Sequence, residues 1–469
     1  MSAVSEMSIF AEPRDDAAPM LATKRGEVTQ RAFMNAVADF GAALPDAPRA
    51  MNVCVDRGAF MVAFCAVLAR GGTNLLPPDT LPPTLARIRE QWPGALAVVD
   101  HDGSEARDVD AAMLCDIAAL LRAAPSVRAA SPASGQTVDR NGAVARCVSD
   151  LIAYEHIAAV PFTSGSTGAP RPQPKCWGAM HFVAAATNAR FFVDMPRYAI
   201  VATVPSQHMY GLETTLMLAL QGRALVATER PLLPTDIARV LQRMPAPRIL
   251  VTTPVHLRAL VRSGQALPEL ALVLSATAPL STALAALTEA RLQCEVHEIY
   301  GCTEAGALAS RRTVSGDVWQ LFDGITIAAV LGDDEGLVDG PHLASPVALP
   351  DRIARVSAQR FRLLGRRGDL VNVAGKRASL AELNQKLLEV PGVLDGVIFV
   401  PEGGVDEIGR LRGMVVTDGR SEQEVLRQLA LSIDAVFLPR PLKKVESIAR
   451  NATGKIQHAV LSDASRVDD

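Results

Sequence analysis

Up to about residue 365 the chain alternates short, apolar, β-branched runs with longer segments whose apolar positions recur at helical spacing. Ala199-Ile200-Val201-Ala202-Thr203-Val204, Arg248-Ile249-Leu250-Val251-Thr252-Thr253 and Leu272-Val273-Leu274-Ser275 are such runs, and each leads through a Pro-containing turn into a helix-like segment. This alternation predicts an α/β fold, a large N-terminal layered region whose strands are buried on both faces. Beyond residue 365 the texture changes. Ser379-Leu380-Ala381-Glu382 and Ser421-Glu422-Gln423-Glu424 both have the capping-box pattern that opens a helix. Around them, 396–400 and 414–416 read as strands, so about 100 residues form a small α+β C-terminal domain. The expected domains are 1–365 and 369–469, with a hinge at 366–368 centred on Gly368. Residues 123–146, rich in Ala, Ser, Pro, Gly and Arg, read as a surface connection.

Composition narrows the function classes. The chain has 469 residues, about half apolar and a fifth charged, which suits a globular protein of two or three units. A net charge of −3 with scattered Lys and Arg argues against nucleic-acid binding. The seven cysteines are odd in number and contain no Cys-x-x-Cys pair, which argues against a disulfide framework or zinc site and fits a reducing cytoplasm. The acidic N-terminus does not resemble a signal peptide, and no uncharged apolar run reaches the ~18 residues a membrane helix needs.

Candidate chemistry lies in loops that directly follow strand-like runs, where ligands bind in open α/β sheets. After 157–162 come Thr163, Ser164, Gly165, Ser166, Thr167, Gly168 and, slightly beyond, Arg171. Glycines let the backbone approach an anion, hydroxyls donate to it, and the arginine supplies charge, so this is a phosphate cradle in chemical terms. No Gly-Lys-[Ser/Thr] closes it, which disfavours a P-loop phosphotransferase. Three further loops occupy the same kind of position: Pro205-Ser206-Gln207-His208-Met209-Tyr210-Gly211, Ser275-Ala276-Thr277-Ala278-Pro279-Leu280 and Tyr300-Gly301-Cys302-Thr303-Glu304.

These segments, in this order, resemble the acyl-adenylating superfamily of acyl-CoA synthetases, carrier-protein acyl ligases and peptide-synthetase adenylation domains. The 163–171 stretch resembles its phosphate loop, with Arg171 in place of the usual Lys. Tyr300-Gly301-Cys302-Thr303-Glu304 resembles the motif that holds ATP and Mg²⁺. Asp351 stands where the family binds ribose, although Leu349-Pro350 replaces the usual Thr-Gly. Gly365-Arg366-Arg367-Gly368-Asp369 resembles the hinge, with Gly368 replacing its first Asp, and Asn451-Ala452-Thr453-Gly454-Lys455 resembles the segment carrying the catalytic lysine.

The resemblance implies Lys455, Glu304 and Thr163 as catalytic residues and Glu304 as the Mg²⁺ ligand. It adds Thr277, Ala278, Glu298, Tyr300, Gly301, Thr303, Asp351 and Arg366 to the phosphate loop as ATP-binding residues. It assigns the acid to His208, Tyr210, Gly211, Val255, Ala276 and Tyr300. The wording around 204–212, 254–258, 275–280 and 371–377 is similar to the short ligases of bacterial aryl-polyene and xanthomonadin-type pigment pathways. That similarity implies adenylation of a hydroxybenzoate by ATP, then transfer to the phosphopantetheine thiol of an acyl carrier protein or CoA, in the cytoplasm. A fatty-acyl or other acyl-CoA synthetase and a non-catalytic adenylate-binding protein remain the alternatives.

Overall fold

The computed structural model describes residues 6–10, 15–100, 112–114, 151–164, 170–366, 370–373, 376–401 and 410–449. The chain divides into two compact units, Met1–Val251 and Thr252–Asp469.

The first unit has two large sheets and a short antiparallel pair, Glu6–Ser8 with Leu151–Ala153. One large sheet runs edge to edge through Pro170–Pro172, Ile157–Ser164, Thr73–Leu76, Arg49–Asn52, Leu96–Val99 and Ala112–Leu114. Its strands are parallel except where Ile157–Ser164 meets Pro170–Pro172 and Lys175–Cys176, both antiparallel to it. In the other, Tyr198–Ala202 lies between Ala224–Ala227 and Arg248–Thr252, parallel to both. Ala224–Ala227 then pairs with Pro19–Thr23, which turns back antiparallel onto Gly26–Thr29. Tyr198–Ala202 and Ala224–Ala227 are buried along their whole length, as their unbroken apolar sequence predicts. The helix Arg57–Ala69 is buried at all thirteen positions, so its apolar surface is continuous rather than a stripe.

In the second unit Leu272–Ser275 pairs in parallel with Glu295–Cys302. The sheet then continues antiparallel through Gly306–Arg312, Val318–Leu321, Arg360–Arg366, Val347–Arg355, Glu335–Asp339 and Thr326–Leu331. The strand–helix alternation expected up to residue 365 therefore ends at Cys302, because antiparallel pairings beyond it need no helical crossover.

Residues 371–442 form a core of their own. Val371, Leu383, Leu387, Ile398, Val415 and Phe437 are among its buried members. The strands here are Val393–Phe399 and Arg412–Thr417, antiparallel, with Leu442–Lys444 parallel to the second. Both capping-box serines open helices. Ser421 and Glu424 complete the reciprocal pair, whereas at Ser379 the hydroxyl accepts from the Glu382 N–H. The 123–146 connection and the hinge residue Gly368 lie outside the described residues. Among the described residues no helix is long and apolar enough to cross a membrane.

Candidate active site

Within the first unit, sheet pairing fixes both flanks of the hydroxyl- and glycine-rich stretch. Ser164 stands opposite Pro170 and Thr163 opposite Arg171, and the Gln173 N–H donates to the Pro161 carbonyl at 2.9 Å. Arg171 is solvent-exposed. Gly165, Ser166, Thr167 and Gly168 lie outside the described residues.

The second loop of this unit leaves the buried strand Tyr198–Ala202 and ends on His208, which caps the short turn Met209–Gly211. The His208 carbonyl accepts from the Leu212 N–H at 2.8 Å. A π-helix, Leu212–Met217, follows directly, a widened turn that is rare and concentrated at functional sites. Gly211 is required by space rather than by backbone angle, because a Cβ there would sit 1.9 Å from the Pro205 carbonyl oxygen. His208 and Tyr210 are half-buried and Gly211 is buried.

Arg57 holds this loop from behind. Its guanidinium is 2% exposed and donates from Nε to the Ser206 hydroxyl (3.2 Å) and from Nη2 to the carbonyls of Ala202 (3.2 Å) and Val204 (2.8 Å).

Within the second unit the strand Glu295–Cys302 carries Glu298, Tyr300 and Gly301 in succession. The Tyr300 hydroxyl donates to Asp351 Oδ2 at 2.8 Å, joining two motifs 51 residues apart. The Tyr300 ring is 8% exposed and has Trp319 and Phe361 on it, each with its centroid at 5.6 Å. Its position is therefore set by aromatic packing, and its hydroxyl in turn fixes the Asp351 carboxylate. Asp351 stands opposite Arg366 in the antiparallel register, which brings the expected ribose residue beside the first residue of the expected hinge.

Glu298 is 3% exposed and its carboxylate faces protein donors on every side. Oε1 accepts from the Leu280 N–H at 2.9 Å. Oε2 accepts from Arg311 Nε at 2.7 Å and from the Thr313 hydroxyl at 2.7 Å. Arg311 lies over the Trp319 ring at 4.6 Å. Glu298 thus ties down the far end of the loop that carries Ala276, Thr277 and Ala278. Thr277 holds a left-handed φ of 78°, an uncommon conformation for a threonine and a cost that the surrounding anchors offset.

At the end of the strand Gly301 faces Ala307 and Cys302 faces Gly306 across a bulge. Thr303 and Glu304 form the turn between the two strands, and Glu304 is exposed. An exposed carboxylate at a strand end suits Mg²⁺, which takes one or two carboxylates and completes its shell with phosphate oxygens and water. Val255 is the second residue of the helix Pro254–Ser263 and is half-buried. Lys455 lies outside the described residues.

Sequence reasoning missed Arg57, Arg311, Thr313, Trp319 and Phe361. One signal was available for Arg57, since it is the only charge in an otherwise apolar thirteen-residue helix. The anchors of Glu298 carried no such signal, because a surface arginine and a buried ion-pair arginine look alike in one sequence.

The AMP-binding enzyme family matches residues 29–330, well over half of the chain. The 4-coumarate–CoA ligase of Rhodobacter capsulatus is 32% identical over 249 residues, covering 52% of this chain and 61% of that protein. That of Halorhodospira halophila is 31% identical over 335 residues, 68% of this chain and 80% of that one. A 3,4-dihydroxybenzoate–[aryl-carrier protein] ligase of Bacillus anthracis is 21% identical over 66% of this chain and 76% of its own. Among solved structures, the o-succinylbenzoate CoA synthetase of Bacillus subtilis with its acyl-adenylate intermediate superposes with a TM-score of 0.77. It does so at 16% identity, over 96% of this chain and 97% of that one, and so shares the fold. The sequence match and the shared α/β architecture agree: the chain belongs to the AMP-binding enzyme family.

Proposed function

We propose that the protein adenylates an aromatic carboxylic acid at the expense of ATP and passes the acyl group to a phosphopantetheine thiol. The observation that carries this reading is the Tyr300–Asp351 hydrogen bond of 2.8 Å. It unites the Tyr-Gly-x-Thr-Glu segment with the expected ribose residue in a chain of this family. Relatives named for 4-coumarate and 3,4-dihydroxybenzoate favour an aromatic acid. The aryl-carrier-protein ligase favours a carrier protein as acceptor. A hydroxybenzoate, in a pigment pathway of the aryl-polyene type, is the specific substrate proposed.

In the first half-reaction a carboxylate oxygen of the acid bonds to the α-phosphorus of ATP, and the bond to the departing pyrophosphate breaks. In the second, the thiol sulfur bonds to the acyl carbon, AMP leaves, and the thiol proton passes to solvent. The substrate brings its own nucleophile, so the protein's task is positioning and charge neutralisation. Residues 163–168 and Arg171 are assigned to the phosphates, and Asp351 with Arg366 to the nucleoside. Tyr300 is assigned to both ATP and the acid, and Gly301 to ATP. Thr303 is assigned to ATP and Glu304 to Mg²⁺, which would neutralise charge on the phosphate oxygens when bound. Glu298 acts by holding the loop with Thr277 and Ala278 in place. His208, Tyr210, Gly211, Val255 and Ala276 are assigned to the acid. Lys455 is assigned to the α-phosphate and the attacking carboxylate. Movement of residues 369–469 about Gly368 is proposed to remove Lys455 before thiol transfer.

Tyr300→Phe tests the carrying observation. Losing one hydrogen bond to a carboxylate that positions the nucleoside is expected to raise KM for ATP by roughly three- to tenfold. The KM for the acid should stay within about twofold, because the ring and its packing against Trp319 and Phe361 are retained. Pyrophosphate exchange with each substrate varied in turn reads both values. An unchanged KM for ATP contradicts the assignment of Asp351.

A further inference from the structure

The helix Arg57–Ala69 is capped by Asp56, whose carboxylate accepts from the Ala59 N–H at 3.0 Å. Arg57 is its first residue, and the guanidinium reaches away from the helix to the carboxyl ends of two neighbouring parallel strands. Besides Ser206, Ala202 and Val204, its Nη1 donates to the carbonyls of Ala227 (3.1 Å) and Glu229 (3.4 Å). The five N–H groups of a guanidinium thus meet five acceptors, four backbone carbonyls and one hydroxyl. Burial, with the nearby Arg230 charge, lowers its pKa to about 10, well above neutrality, so the group is cationic.

A buried charge is a poor way to stabilise a fold, since apolar side chains of similar volume often do as well or better. What the planar fork supplies is geometry. It spans Tyr198–Ala202 and Ala224–Ala227 and pins residues 202, 204 and 206, the alternate positions leading to His208. Within the same stretch the Thr203 N–H donates to the Val251 carbonyl at 3.0 Å.

We propose that Arg57 is a positioning residue for acid recognition: through Val204 and Ser206 it sets where His208 stands, and so governs affinity for the acid rather than for ATP. This rests on the reading that the His208 loop binds the acid.

The test uses the full-length enzyme and three variants, Arg57→Lys, Ser206→Ala and His208→Ala. The acid is whichever of benzoate, 3-hydroxybenzoate, 4-hydroxybenzoate or octanoate supports the fastest pyrophosphate exchange. Lysine keeps the charge but cannot reach both strand ends with a fixed fork, and alanine at 206 cuts only the tie to the loop. Arg57→Lys is expected to lower kcat/KM for the acid on the order of tenfold, Ser206→Ala by about threefold in the same direction. In both, KM for ATP should move less than about twofold. A purely structural role predicts instead a lower melting temperature with the two substrates affected alike, and that result overturns the proposal. Should Arg57→Lys fail to fold, Ser206→Ala decides. His208→Ala separates the two levels. If it leaves acid kinetics unchanged, the acid-site reading fails and takes the proposal with it. If it impairs them while the other two variants do not, the positioning role alone fails.

Discussion

Replacing Lys455 by alanine is expected to slow adenylation by on the order of 10²- to 10⁴-fold, the loss typical when one preorganised donor is removed from phosphoryl chemistry. Negative charge grows on the α-phosphate as the acid attacks, and a lysine places a compact, flexible point charge against it. ATP affinity should change little, since the ground-state contacts are those proposed for residues 163–168 and Asp351. Thiol transfer from preformed acyl-adenylate should survive, because the proposed domain movement has taken Lys455 away by then. The two half-reactions are measured separately, by pyrophosphate exchange and by AMP release from added acyl-adenylate. Equal losses in both contradict this division of labour.

The second large effect is expected at Gly301. A Cβ there would stand 2.3 Å from the Gly306 carbonyl oxygen and 2.9 Å from the Ala307 Cα, both backbone atoms that no rotamer change can move. Gly301→Ala must therefore push the strand Gly306–Arg312 away and shift the turn holding Thr303 and Glu304. Overpacking of this kind costs about 1–3 kcal/mol, or a fall in Tm of roughly 2–10 °C for a unit of this size. A displacement near 1 Å at a catalytic group costs on the order of 10²-fold in rate. Thermal melting and exchange rates read the two effects together. Wild-type values for both contradict the close approach.

How much of this was legible in the sequence follows from what kind of interaction each element rests on. Strand runs such as residues 198–202 and 248–252 stand out because burial on both faces demands continuous apolar residues. The capping serines stand out because their partner is three residues away. Following each strand to its end placed the loops bearing His208 and Thr277, whereas Thr163 and Tyr300, expected in loops, lie within the strands Ile157–Ser164 and Glu295–Cys302, which run further than their apolar residues. Illegible were the partners: that Tyr300 reaches Asp351, that Arg311 and Thr313 occupy Glu298, and that Arg57 crosses to two strands. Such contacts depend on register and sheet order, which a single chain does not encode locally. The π-helix after Gly211 was equally hidden, since one extra residue in a turn leaves apolar periodicity almost intact.

The central claim is that an aromatic acid is the species adenylated. A mostly apolar slot rewards a rigid ring over a flexible chain, whose rotors must be frozen on binding. A site that hydrogen-bonds a ring hydroxyl also penalises its absence. The most direct measurement is ATP–pyrophosphate exchange with benzoate, 3-hydroxybenzoate, 4-hydroxybenzoate and octanoate, compared by kcat/KM. The account predicts that exchange requires an added acid and that a hydroxybenzoate exceeds benzoate and octanoate. Octanoate as the best substrate, or exchange that no acid in the panel elicits, would contradict it.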